Sequence, residues 1–313
     1  MKGYLIRNNR NLLLSTGSTS TSEIATIAET LTASNAAHEN HKMNEQQFSR
    51  TETSRHFPDV IEEIEKSIVR VEVAFNGGVG RGTGFFFTDN TILTCAHVLL
   101  GHNNLKILKE ELEKNNPKIT DMKKEFERHF ESRKPSVTVE LSNGTVLNAE
   151  WVKFDPAFDV GLIKVKGSFQ PISIREKPLR LGEEVFFCGF PIGAYSSKPA
   201  FSVNAGYVSS LCQTIVGGYK MRDIIQISAI NLSGNSGAPL LHRSTGQLVG
   251  IINGNMEIGN DSILHAINTA KGLEAHPISL RIPIGVAYAT AITEAVQQCA
   301  FIREEMDRTN PNK

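Results

Sequence analysis

Ser236 lies in the stretch Asn231-Leu232-Ser233-Gly234-Asn235-Ser236-Gly237-Ala238-Pro239-Leu240. A serine between glycines, entered from a polar loop and followed by apolar strand-like residues, has the setting of a nucleophile. The glycines let the backbone turn sharply and leave room for a substrate carbonyl, and the amides of Gly234 and Ser236 can converge on a developing oxyanion. Glycine–serine turns are common, so this one acquires meaning only with a base and an orienting carboxylate. His97 supplies the first: of nine histidines it alone has a telling context, Thr94-Cys95-Ala96-His97-Val98. There it is expected at a strand end, held by the core while its ring faces a cleft. Asp159 supplies the second, in Phe154-Asp155-Pro156-Ala157-Phe158-Asp159-Val160-Gly161-Leu162-Ile163-Lys164-Val165. It enters an apolar strand, where a carboxylate is costly to bury without a hydrogen-bonding partner. Asp155, before a proline, is accounted for as a turn or cap residue. Nucleophile, base and carboxylate together are the equipment of acyl transfer.

The elements that would position these groups are mostly strands. Candidates fall at 68–75, 82–88, 91–94, 136–141, 145–153, 160–166, 184–189, 201–210, 224–228, 247–253 and 284–289, with a further apolar pair at Leu240-Leu241. Many short strands punctuated by glycine and Asn-Gly turns, without alternating helices, predict an all-β barrel or sandwich. The strand after Ser236 argues against an α/β-hydrolase, whose nucleophile opens a helix. One segment, 101–135, is dense in charge of both signs and split by Asn115-Asn116-Pro117. Beyond the proline, Ile119, Met122, Phe126 and Phe130 share a helical face. A helical hairpin inserted into the β scaffold is expected there, packed down along one stripe. Because it interrupts the connection between His97 and Asp159, it is also a place where regulation could act. A C-terminal amphipathic helix is expected over Ala289 to Asp307.

Length and composition set bounds. A chain of 313 residues has room for one large or two modest domains. Residues 1–55 are polar and Ser/Thr-rich and are expected to form a flexible leader. A strand-rich domain at 56–290 and a helix with tail at 291–313 would follow. With 33 basic and 33 acidic residues the net charge is zero, which offers no electrostatic attraction to nucleic acid or a membrane surface. The four cysteines form no C-x-x-C pair or dense framework, which fits a reducing, cytoplasmic setting. The first residues lack acid and carry Lys2, Arg7 and Arg10, leaving an organellar transit segment as the alternative. No metal or cofactor motif is evident.

Taken in order, T-C-A-H-V, D-x-x-x-D-V-G-L-I-K-V and I-N-x-x-G-N-S-G-A-P-L resemble the His, Asp and Ser motifs of chymotrypsin-like serine peptidases, in particular the HtrA-like (trypsin-2) branch. Leu181-Gly182-Glu183-Glu184-Val185, Gly189-Phe190-Pro191-Ile192-Gly193 and Ile284-Gly285-Val286-Ala287-Tyr288 agree with it, over roughly residues 65–290. The resemblance implies two six-stranded antiparallel β-barrels and a His97–Asp159–Ser236 triad. It also implies an oxyanion hole from Gly234 and Ser236, protein or peptide substrates, and no cofactor. It places Ile230, Ile252, Asn253, Gly254 and Asn255 around the specificity pocket. No acid stands there for a basic P1 residue, so a small or medium apolar P1 is expected. Trypsin and chymotrypsin have an aspartate before the nucleophile that pairs with a new N-terminus; Asn235 cannot form that ion pair. Ala238 replaces the commoner glycine and requires a negative φ. HtrA proteins usually carry a PDZ domain after the peptidase, and after residue 290 only a helix and tail are expected. Control would then come from the insertion, the leader, a partner or a homo-oligomer. A non-cleaving scaffold of the same fold and a serine esterase are the rival readings.

Overall fold

The computed structural model describes residues 55–75, 78–101, 119–133, 135–191, 200–216, 220–269 and 272–309. The expected leader lies almost wholly outside them, as do residues 102–118 of the insertion. After a short helix, α1 (Phe57–Glu65), six strands form the first barrel: β1 (Ile68–Phe75), β2 (Gly78–Phe86), β3 (Thr91–Thr94), β4 (Ser136–Glu140), β5 (Val146–Asp155) and β6 (Val160–Val165). They close in the order β1-β2-β3-β6-β5-β4. The second barrel contains β7 (Glu184–Gly189), β8 (Ser202–Val216), β9 (Lys220–Ile227), β10 (Pro239–His242), β11 (Leu248–Thr269) and β12 (Gly272–Ala291). It closes in the order β10-β11-β12-β9-β8-β7. Neighbouring strands in both barrels run antiparallel, so the all-β, two-barrel expectation holds. Closure gives each barrel strand a hydrogen-bonded neighbour on both sides, which limits the open-edge liability of an all-strand fold.

The alternation of side chains along a strand places the barrels back to back. On β7, Val185 and Phe187 point into the core of the second barrel, while Phe186 and Cys188 join a larger core shared with the first. Phe57 of α1 meets Phe186 edge-on at 5.0 Å between ring centroids. The linker between barrels is fastened to β11 through Arg175 N–H to the Leu248 carbonyl (3.0 Å) and Leu248 N–H to the Ser173 carbonyl (2.8 Å). The buried Arg175 guanidinium then grips Glu183 at 2.6 and 3.3 Å.

Two expectations about elements change. The strands at 247–253 and 284–289 are parts of a much longer ribbon, because β11 and β12 stay paired from Gly250↔Ala291 to Thr269↔Gly272. No strand is expected from the sequence between 253 and 284. Register shifts at Ile252/Gly254, Asn255/Glu257 and Asn260/Ile263 absorb irregularities without ending the ladder. The C-terminal helix starts later and is two helices, α4 (Ile292–Gln298) and α5 (Ala300–Thr309), separated where Cys299 turns extended (φ −97°, ψ 102°). Ala289 and Ala291 instead finish β12. Phe301 and Ile302 of α5 are buried in the large shared core, and Glu305 faces Lys164 of β6 at 4.0 Å. Of the proposed helical hairpin, the limb after the proline is present as α3 (Ile119–Arg133). Phe126 is buried and Phe130 meets Phe154 of β5 edge-on at 5.3 Å.

Candidate active site

The pairing of β3 with β6 explains why His97 and Asp159 meet. Thr94, the last residue of β3, is opposite Gly161, the second residue of β6. In an antiparallel pair the chain leaving one strand and the chain entering the other are at the same end. Three residues beyond Thr94 and two before Gly161 therefore arrive together. His97 is not at the strand end itself, as expected from sequence, but in the first turn of a five-residue helix, α2 (Ala96–Leu100). Ala96, Val98, Leu99 and Leu100 are buried, so the core clamps the helix and His97 is the residue it turns outward.

Asp159 receives two groups from His97. Its Oδ1 accepts the His97 main-chain N–H at 3.0 Å and lies 3.1 Å from Nδ1, while Oδ2 lies 2.9 Å from Nδ1. A carboxylate can only accept, so Nδ1 carries a hydrogen, and in the neutral ring Nε2 then keeps its lone pair. Asp159 is the sole non-glycine described residue with positive φ, at 54°. Aspartate tolerates this left-handed conformation better than most residues. It ends a tight turn in which Asp155 Oδ1 accepts the N–H groups of Ala157 and Phe158 at 2.9 and 3.2 Å. Asp155 is thus the turn residue its sequence context indicated.

The loop bearing Ser236 is seated against the His97 element from the other barrel. The Leu232–Asn235 turn closes through Asn235 N–H to the Leu232 carbonyl at 3.1 Å, with Gly234 at φ 99°. Glycine is required at the third position of such a turn. Gly237 has φ 87°, and a Cβ there would lie 2.1 Å from the Thr83 carbonyl oxygen, 2.3 Å from Thr94 Oγ1 and 3.1 Å from Cys95 N. Only a glycine lets the Ser236 loop sit this close to the end of β3. The Ile252 carbonyl accepts both the Gly237 N–H at 2.8 Å and the Cys95 thiol at 3.2 Å, tying the loop, β11 and the residue before α2 into one unit. Ala238 has no positive φ; its N–H reaches the Asn235 carbonyl and its carbonyl accepts Ile252 N–H, both at 2.9 Å. The methyl in place of glycine is accommodated. Asn235 is fully buried, and among the described residues neither atom of its amide has a hydrogen-bond partner.

The residues expected around a specificity pocket are distributed unevenly. Ile230 is 53% exposed, whereas Ile252 has no exposed surface and acts through its main chain. Asn231 Nδ2 donates to the Gly254 carbonyl at 3.1 Å and Asn255 Nδ2 to the Asn231 carbonyl at 3.0 Å, which ties the two walls together. Asn253 Nδ2 donates to Thr290 Oγ1 at 2.7 Å, and that hydroxyl reaches the Phe158 carbonyl at 3.4 Å beside Asp159. Thr290 and Cys95 were invisible to sequence reasoning because each acts across a barrel boundary. Donor atoms of Cys95, His97 and Asp159 all lie within 4.8 Å of one another. That is the only such cluster among the described residues, and its imidazole and carboxylate are already engaged with each other.

A two-barrel fold carrying a His–Asp pair and a glycine-framed serine at the barrel junction is the architecture of the trypsin-like peptidases. The model of the trypsin-like peptidase domain (Trypsin_2) matches residues 82–251, and the chain belongs to that family. Serine protease HTRA1 of Xenopus laevis is 29% identical over 210 residues, covering 62% of this chain and 37% of the relative. A probable periplasmic serine endoprotease DegP-like of Pseudomonas putida is 36% identical over 126 residues, covering 39% of this chain and 25% of the relative. The chain thus spans between a quarter and little more than a third of the curated relatives it matches. Among solved structures, the active form of the Rv3671c protease from M. tuberculosis superposes with TM-score 0.53 at 20% identity, covering 81% of this chain and 92% of that one. The HtrA-type protease AlgW with a tripeptide gives 0.54 at 18%, covering 80% and 65%. These likenesses are of fold.

Proposed function

We propose that this chain is a serine endopeptidase in which Ser236 attacks the scissile carbonyl. His97 Nε2 takes the serine proton and returns it to the leaving amine, forming and then releasing an acyl-enzyme. Asp159 holds the ring in the Nδ1–H tautomer and stabilises the imidazolium. The Gly234 and Ser236 amides receive the oxyanion, each such donor typically contributing about 3 kcal/mol to lowering the barrier. The observation that carries this reading is the double grip of Asp159 on His97, through its main chain and Nδ1 at once, beside a Ser236 loop packed onto Thr94 and Cys95. A structural histidine needs no such fixing of its tautomer.

The substrate we infer is a protein or peptide with a small or medium apolar P1 residue. Support comes from the absence of any acid among Ile230, Ile252, Asn253, Gly254 and Asn255. The four free cysteines, three of them buried, fit a reducing compartment, which cell fractionation tests. Labelling with a fluorophosphonate probe tests the nucleophile: wild type should react and Ser236→Ala should not, with turnover falling on the order of 10⁶-fold. Equal labelling of both proteins, or none of either, refutes the reading in favour of a non-cleaving scaffold. Hydrolysis of small esters with every peptide spared would make it an esterase. Cleavage mapping on a peptide library tests P1, and a dominant Lys or Arg would overturn the apolar assignment.

A further inference from the structure

We infer that Thr83 is a positioning residue for the oxyanion-binding loop, an inference that rests on the peptidase reading of that loop. Thr83 belongs to β2 of the first barrel, is fully buried, and meets the nucleophile loop of the second barrel with all its polar groups used. Its main-chain N–H donates to the Ser236 carbonyl at 2.9 Å. Its hydroxyl donates to the Gly234 carbonyl at 2.8 Å and accepts the Phe190 N–H at 3.0 Å. Its own carbonyl accepts the Thr94 hydroxyl at 2.8 Å. A threonine hydroxyl has one proton. Phe190 N can only donate and the Gly234 oxygen can only accept, so that proton is committed to Gly234.

Gly234 and Ser236 are the two residues whose N–H groups would face the oxyanion. In both, the carbonyl is held by the same threonine. The peptide units flanking a glycine at φ 99° rotate easily, since no side chain resists the alternatives. Anchoring the Gly234 carbonyl removes that freedom. The side chain between them offers no substitute, because the buried side-chain amide of Asn235 makes no hydrogen bond among the described residues. The loop is therefore held through its main chain, by Thr83 at the Gly234 and Ser236 carbonyls and by Ile252 at Gly237 and Ala238. In the sequence, Gly82-Thr83-Gly84 looks like an ordinary strand segment, and its partners are some 150 residues away.

The test compares Thr83→Val, which keeps the shape and the N–H but loses the hydroxyl, with Thr83→Ser, which restores it. A misplaced donor in an oxyanion hole justifies an expected fall in kcat/KM of about 10- to 100-fold for the valine variant, carried by kcat. Affinity for a peptide boronate, whose tetrahedral adduct places an oxygen in the hole, should fall in parallel while KM moves by less than about threefold. The serine variant should remain within about threefold of wild type. A valine variant as active as wild type, a serine variant as impaired as valine, or a loss confined to KM overturns the inference. If the valine variant does not fold, Thr83→Ala gives the same comparison. Should wild type prove to hydrolyse nothing, the peptidase reading fails and amide exchange decides this one separately. Exchange at Asn235 and Gly237 must accelerate in the valine variant and recover with serine; unchanged exchange refutes the role.

Discussion

Asp159→Asn is the sharpest probe of the site, because the geometry dictates which way the new amide must face. Oδ1 accepts the His97 main-chain N–H at 3.0 Å, while Oδ2 lies 2.9 Å from Nδ1. An asparagine has one oxygen, and the main-chain N–H cannot change its role. The oxygen therefore takes the Oδ1 position and the NH₂ group faces Nδ1. Two hydrogens cannot share that gap, so the ring gives up the Nδ1 hydrogen and moves to the Nε2–H tautomer. The lone pair needed to take the Ser236 proton is then gone. Loss of the base through the wrong tautomer is expected to lower kcat about 10⁴-fold, or about 5.5 kcal/mol in the barrier at about 1.36 kcal/mol per tenfold. The change is nearly isosteric, so the melting temperature should move by no more than about 4 °C. Turnover of a chromogenic peptide, the rate of fluorophosphonate labelling and a thermal melt on the same preparation measure all three. A folded variant that keeps a tenth or more of the wild-type kcat would refute the assignment of Asp159 as the group that sets the tautomer.

Three further outcomes follow from the surrounding structure. Burial alone would raise the Glu183 carboxyl, but bonds from Arg175 and Arg180 outweigh it and hold its pKa at about 2 against an ordinary 4.5. A depressed folded pKa means the pair's contribution is complete above pH 4.5 and is lost as pH falls towards 2. Glu183→Gln should thus destabilise by up to about 3 kcal/mol at neutral pH, less whatever solvent screening removes, and by almost nothing near pH 2. Urea unfolding at both pH values checks this, and an equal loss at both is the contrary result. Gly237→Ala should cost at least about 3 kcal/mol and abolish probe labelling, since strain at φ 87° adds to contacts at 2.1 and 2.3 Å. Gly182→Ala, at φ 81° in open space, should cost only about 1 kcal/mol; similar melts for the two variants would show that the close approach at Gly237 is unimportant. Phe126→Ala removes a ring that is 1% exposed and should cost about 3–4 kcal/mol. Limited proteolysis should then cut within α3 before the barrels open, and an unchanged digestion pattern would mean that the helix is held by something else.

Local chemistry made much of this molecule legible from its residues. The two-residue period of apolar positions marks the strands, because one face of each must be buried and the other need not be. The glycines around Ser236 announce a loop with positive φ, and Asp155 announces a turn, because both act on their own neighbouring backbone. An aspartate opening the apolar run of β6 signals a buried partner, though not which one. The limits had equally physical causes. Cys299 carries no helix-breaking signal, yet its extended backbone splits the C-terminal helix. The strand expected at 247–253 runs on to Thr269, because its ladder with β12 tolerates bulges.

The sequence by itself determined the strand-rich class, the choice of His97, Asp159 and Ser236 as candidates, and the exclusion of an ion pair at Asn235, since these depend on residue type and near neighbours. The tertiary structure alone decided how those groups meet. It sets His97 in a clamped helical turn rather than at a strand end, and it brings Asp159 to it through the register of β3 on β6. It also turns Thr83, Cys95 and Thr290 from residues of no evident role into fastenings of the Ser236 loop and the Asp159 turn. Those contacts join residues far apart in the chain, and only closure of the two barrels gives them a common place.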